Sequence, residues 1–91
     1  MASIEIRRAH ALGMAQARVA VDTVAQQLHK DLQARSHWQG DSLKFECPGA
    51  HGCIDVTHDA VCVSVSLSWL LSAARGRIAR SIEETLDRYL A

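Results

Sequence analysis

The feature that most constrains this chain is a change of hydrophobic period at Leu67. Val61, Val63, Val65 and Leu67 alternate with Cys62, Ser64, Ser66 and Ser68, the two-residue rhythm of a strand with one buried face. Further on, Leu71, Ala74, Ile78, Ile82, Leu86 and Tyr89 recur at spacings of three and four, as one stripe of a helix must. A strand therefore runs across Trp69 into a C-terminal helix with almost no linker, and the two share one core. A chain of 91 residues buries only about 60–65% of its unfolded surface, so one domain is expected.

The same two periods organise the rest. Ile4 and Ile6 alternate with Glu5 and Arg7, which predicts a first strand over residues 3–8. Gly13 is placed to act as an N-cap with Gln16 at N3, and Leu12 can staple against Ala17. The helix that follows is expected to run to about Arg35. Met14, Ala17, Val21, Val24, Ala25, Leu28 and Leu32 fall within an arc of about 100° on it. Lys30 lies opposite that stripe, and Arg18, Asp22 and His29 lie on one flank.

Trp38 opens the next segment. Gly40-Asp41 supplies turn chemistry before a second strand in which Leu43, Phe45 and Cys47 alternate with Lys44 and Glu46. Pro48 to Gly52 reads as a loop, Ile54 and Val56 mark a third strand, and His58-Asp59-Ala60 turns into the fourth. Connections this short make an antiparallel meander. The expected fold is α+β: a two-layer sandwich of four strands, mainly antiparallel, with both helices on one face. The pairing of the first strand is left open, to the second or the fourth. The other face then carries Glu5, Arg7, Lys44, Glu46, Asp55, Thr57, Ser64 and Ser66.

Charge and cysteine content exclude several classes. Ten basic and ten acidic residues cancel, so no global field draws the chain to nucleic acid or an anionic membrane, though a local patch still could. No apolar run approaches the roughly 20 residues that span a bilayer, and Glu5, Arg7, Arg8 and His10 stand where a secretion signal needs an apolar block. Three cysteines, an odd number, argue against a disulfide framework and for a reducing, cytoplasmic setting. Cys47, His51, Cys53, His58 and Cys62 are close in sequence, but not at the spacing of a zinc knuckle. Strand parity puts Cys47 inward and Cys53 and Cys62 on the polar face, so no metal or other cofactor is expected. No nucleophile has a base and an orienting group marked beside it, nor is there a phosphate-binding glycine loop. The chain is expected to be non-enzymatic.

Six residues are candidates for ligand or partner contact. Trp38 and Trp69 bracket the sheet and suit core or rim positions; an exposed one beside Tyr89 and Leu90 would mark a contact surface. Arg75 projects near the apolar stripe and belongs at the core's edge, its stem covering apolar surface or its head holding an anion. Arg77 and Arg80 point outward, and Arg75, Arg77 and Arg80 precede Glu83, Glu84 and Asp87. That is the reverse of the order the helix dipole favours. Val19, off the stripe of the first helix, points to self-association as a homodimer.

The ordered set Ile4-Glu5-Ile6, His10-Ala11-Leu12-Gly13, Ala17-Arg18, Trp38-Gln39-Gly40-Asp41-Ser42-Leu43, Gly52-Cys53-Ile54-Asp55-Val56 and Leu67-Ser68-Trp69-Leu70-Leu71 with Ile78 and Ile82 resembles the polyhydroxyalkanoic acid system proteins. These are small bacterial proteins named for the position of their genes near those for polyhydroxyalkanoate granules. The resemblance covers nearly the whole chain. It implies a cytoplasmic accessory protein, associated with the granule surface or with granule proteins, and it carries over no functional residue. The alternative is a small carrier of an acyl or hydroxyacyl ligand, held between the second helix and the sheet near Trp38, Arg75 and Tyr89.

Overall fold

In the computed structural model, which describes residues 2–90, the chain forms β1 (Ala2–Ala9), α1 (Gly13–Leu32), β2 (Arg35–Gln39), β3 (Ser42–Cys47), β4 (Ala50–Val56), β5 (Ala60–Leu67), α2 (Trp69–Ser72) and α3 (Arg75–Leu90). The strands make one antiparallel sheet in the order β1-β5-β4-β3-β2. The first strand pairs with the last, setting Ile4 opposite Val65 and Ile6 opposite Val63. The next positions across are Gly52 and Ile54 of β4, then Phe45 and Leu43 of β3. Ile4, Ile6, Val63, Val65, Ile54, Phe45 and Leu43 are all buried.

Both helices cover that face. α1 packs on β4, β3 and β2 through Ala17, Val21, Val24 and Leu28, and α3 packs on β1 and against α1. Ile78, Ile82, Leu86 and Leu90 form the buried stripe of α3. Each fully buried aliphatic side chain contributes about 1.5–3 kcal/mol relative to exposure, and among the described residues no polar or charged residue is buried with them. The architecture is thus α+β, an open antiparallel sheet with helices on one side.

Four boundaries differ from the sequence expectation. The sheet has five strands, because Arg35–Gln39 pairs with β3 across the Gly40-Asp41 turn. The helix read to Arg35 ends at Leu32, where Gln33 takes a left-handed conformation with φ 57° and donates its N–H to His29 and Leu28 carbonyls. The segment read as a loop to Gly52 is a two-residue turn at Pro48-Gly49, with Gly49 at φ +92° and β4 already begun at Ala50. Proline first and a positive-φ glycine second is the type II arrangement. Finally, the C-terminal helix is broken into α2 and α3 at Ala73–Ala74.

Gly52 occupies a core-facing position of β4 because no side chain fits there. A Cβ on it would collide with the Ser64 carbonyl oxygen and stand 3.0 Å from the tip of the Phe45 ring. The Phe45 side chain fills the space over the glycine.

Candidate functional site

One end of the molecule collects the start of β1, the Pro48-Gly49 turn, the end of β5, all of α2 and the start of α3. The Ser68 N–H donates to the Gly49 carbonyl at 2.8 Å, and the Leu71 side chain lies against Gly49. A four-residue helix can bury only one of its apolar side chains on so narrow a support. Leu71 takes the inner place, leaving Trp69 77% and Leu70 64% exposed. Pro48 and Ala73 are exposed at the same end. Ser68 stands at the N-cap position of α2 in extended conformation, yet its hydroxyl makes no hydrogen bond among the described residues.

Arg75 sits where α3 passes the outer edge of the sheet. Its Nε donates to the Ser3 carbonyl at 2.6 Å, closing one backbone acceptor of edge strand β1. Arg77 and Arg80 lie on the outer surface of α3 with Ala73, Gly76 and Glu84. Charges of this sign in the first turn of a helix cost about 0.3–1 kcal/mol each against the dipole. Tyr89, 46% exposed, is at the far end of α3, about 21 Å along the axis from Arg75.

Trp38 is at the opposite edge of the sheet from Arg75. On β2 it faces the helices and is half-buried. Its Nε1–H donates to Asp22 at 2.7 Å, and the Arg18 guanidinium lies over its ring. Arg18 also donates to the Gly40 carbonyl at 2.9 Å and pairs with Asp41 at 3.2 Å. The polar flank of α1 is therefore a clamp on the β2–β3 hairpin. The six candidates do not converge: Trp69, Arg75, Arg77 and Arg80 share one end, Trp38 and Tyr89 lie elsewhere, and Leu70 joins the first group although the sequence reading passed over it. Its signal was the run Trp69-Leu70-Leu71, longer than a helical stripe uses.

The helix-free face carries rows of side chains. One row reads Glu5, Ser64, Cys53, Lys44 and His37, and the next reads Ser3, Ser66, His51, Glu46 and Arg35. Together they line an open trough of about 680 Å³. Cys53 and Cys62 are on this face, diagonal to one another, because Cys53 pairs with Ser64 and Cys62 with Asp55. All three cysteines are free thiols. Cys47 faces the helices near the Pro48 turn, and burial pushes its thiol up, partly offset by a backbone hydrogen bond from Ala50. Among the described residues no three His, Cys, Asp or Glu side chains converge as metal ligands would.

The family model described as "Putative polyhydroxyalkanoic acid system protein" matches residues 4–90. The chain belongs to that family. No curated protein and no solved structure matches it. The match runs from the first core residue of β1, Ile4, to the last of α3, Leu90. The matched span thus takes in the Trp69–Leu70 end as well as the Arg18–Trp38 clamp. The description names a system and no reaction. Among the described residues no helix is long and apolar enough to cross a membrane.

Proposed function

We propose that this chain is a non-enzymatic accessory protein of the polyhydroxyalkanoate granule system, acting in the cytoplasm by contact with the granule surface or with granule proteins. The observation that carries the reading is the exposure of Trp69 and Leu70. Val19 and Tyr89 are exposed singly, whereas Trp69 and Leu70 are adjacent, and two neighbouring large apolar side chains in water lower solubility without adding stability, as a contact surface does. The family description supplies the setting. The test is co-sedimentation of the purified, reduced protein with isolated granules, beside a Trp69→Ser, Leu70→Ser variant and an Arg77→Glu, Arg80→Glu variant. Native protein is expected in the pellet and the first variant mostly in the supernatant. Native protein that binds neither granules nor their proteins overturns the reading.

A second reading, a carrier of acyl or hydroxyacyl ligands, has one observation in its favour. A groove of about 440 Å³ between α1 and α3 is lined by Leu28, Leu32, Ala74 and Ile78 together with Arg77, Asp31 and Ser81, apolar side chains with a few polar groups, as a pocket for a chain with a polar head has. This groove is not the helix–sheet cleft near Trp38, Arg75 and Tyr89, since those residues stand apart. A fluorescent acyl probe should then bind saturably to native protein and not to Ala74→Trp.

A further inference from the structure

The balanced charge of this chain hides a polar distribution. At the Trp69–Leu70 end lie Lys30 in the last turn of α1, Arg35 at the start of β2, and Arg75, Arg77 and Arg80 in the first half of α3. Asp31 and Glu46 oppose them there, and Glu84 borders Arg77 and Arg80 on the outer surface of α3. At the other end lie Asp41, Asp55, Asp59, Glu83 and Asp87. Two cations of that end are paired, Arg8 with Glu83 and Asp87 and Arg18 with Asp41, while Arg7 and Arg88 have no ion pair among the described residues. Among the described residues Lys30, Arg35, Arg75, Arg77 and Arg80 have no carboxylate within ion-pair distance. The reversed order of charge along α3 is one source of this polarity, and it places unneutralised arginines beside the most exposed apolar side chains of the protein.

We propose that this end docks on an anionic lipid surface, with Trp69 and Leu70 entering the headgroup boundary and Arg75, Arg77, Arg80, Lys30 and Arg35 facing its negative charge. The proposal rests on the contact reading above and names the surface. An indole and a leucine on a projecting turn suit the interface between water and acyl chains, where an amphipathic ring is stable. The surrounding cations are complementary to anionic headgroups, each contributing about a fivefold gain in partitioning when close to them. The carboxylates Asp41, Asp55, Asp59, Glu83 and Asp87 at the opposite end favour that orientation, because the same surface repels them.

The experiment is flotation with phosphatidylcholine vesicles, with and without about 30% phosphatidylglycerol, on native protein, Trp69→Ser with Leu70→Ser, and Arg77→Glu with Arg80→Glu. The substituted side chains are exposed or outward, and circular dichroism checks that the variants fold. Native protein is expected to float with anionic vesicles only, the apolar variant to lose at least tenfold, and the charge reversal about 25-fold or more. Brominated lipid should quench native emission, while Trp69→Phe should still float and show no quenching, because Trp38 is held at the other end. No flotation with anionic vesicles, equal flotation with neutral ones, or charge-reversed protein that floats like native each overturns the proposal. Protein that pellets with granules but ignores vesicles overturns this inference while leaving the granule reading intact.

Discussion

The guanidinium carbon of Arg18 lies 4.0 Å from the centroid of the Trp38 ring, so a residue of α1 that sequence periodicity assigns to the flank of the core stripe holds down the edge strand β2. The same guanidinium donates to the Gly40 carbonyl, and Asp22 accepts the indole N–H. With the Arg18–Asp41 pair, the hairpin is fixed to the helix by four polar contacts around one ring.

Arg18→Ala should therefore destabilise the fold by about 1–2 kcal/mol, the sum of a cation–π contact at a partly exposed site and a charged hydrogen bond. Arg18→Lys should recover only part of this, because an ammonium lacks the planar fork that stacks and donates at once. Urea titration of both variants and of Trp38→Phe, combined as a double-mutant cycle, measures the coupling. A coupling near zero would mean that Trp38 is held by α1 packing alone.

Two glycines make opposite predictions. Gly52→Ala should cost about 3 kcal/mol or more, since its Cβ meets the rigid backbone of Ser64 and not a movable side chain. Gly76→Ala, in the exposed first turn of α3 with nothing within 4 Å of the new methyl, should gain about 0.5 kcal/mol from helix propensity. Thermal melts of the two variants beside native protein decide both.

The elements with a regular apolar period were legible in the sequence. The Ile4–Ile6, Leu43–Phe45 and Val61–Leu67 alternations and the stripes of α1 and α3 each identify a buried face. β2 was not legible because Arg-Ser-His-Trp-Gln has one apolar residue and lies at the sheet edge, where pairing comes from the backbone. The end of α1 was overrun because Gln33, not glycine, takes the left-handed position. Gly52 read as a loop residue because close backbone approach has no local signature. In the candidate site, Trp69 and Arg77 could be named, but the outward turn of Trp69 and Leu70 depends on Leu71 reaching Gly49, some twenty residues away in sequence. That contact is tertiary and leaves no period to read.

The Ser68 hydroxyl makes no capping bond, so Ser68→Ala should fall well short of the roughly 1 kcal/mol usual for losing a capping serine, and chemical denaturation should place it within about 0.5 kcal/mol of native. A Pro48→Ala, Gly49→Ala variant should be far worse, because Gly49 is at positive φ and its missing Cβ makes room for Leu71 and Ser68.

Asp59 in the β4–β5 turn gives an acid-side prediction. The Thr57 hydroxyl donates to its carboxylate, and His58 is close by, holding Asp59 below the usual carboxylate range. A carboxyl lowered in the folded state stabilises the fold above its unfolded value and ceases to do so as pH falls through its folded one. The stability difference between native protein and Asp59→Asn, followed by denaturation from pH 7 downward, should shrink as the carboxylate is protonated. A difference constant with pH would remove the Thr57 and His58 contacts from the account of this turn.

Cys47 supplies the alkaline counterpart. Burial raises its thiol, so the folded state disfavours the thiolate, and any stability it contributes is present below the ordinary thiol range and lost as pH rises through the raised value. The thiolate is the nucleophile. In a Cys53→Ser, Cys62→Ser background, where Cys47 is the remaining thiol, alkylation by iodoacetamide should be slow at neutral pH. It should climb only above the range of a free cysteine, and unfolding in urea should restore the ordinary profile. A folded protein whose Cys47 reacts at neutral pH as fast as free cysteine would place the thiol in water, contradicting its position against the helices beside the Pro48-Gly49 turn.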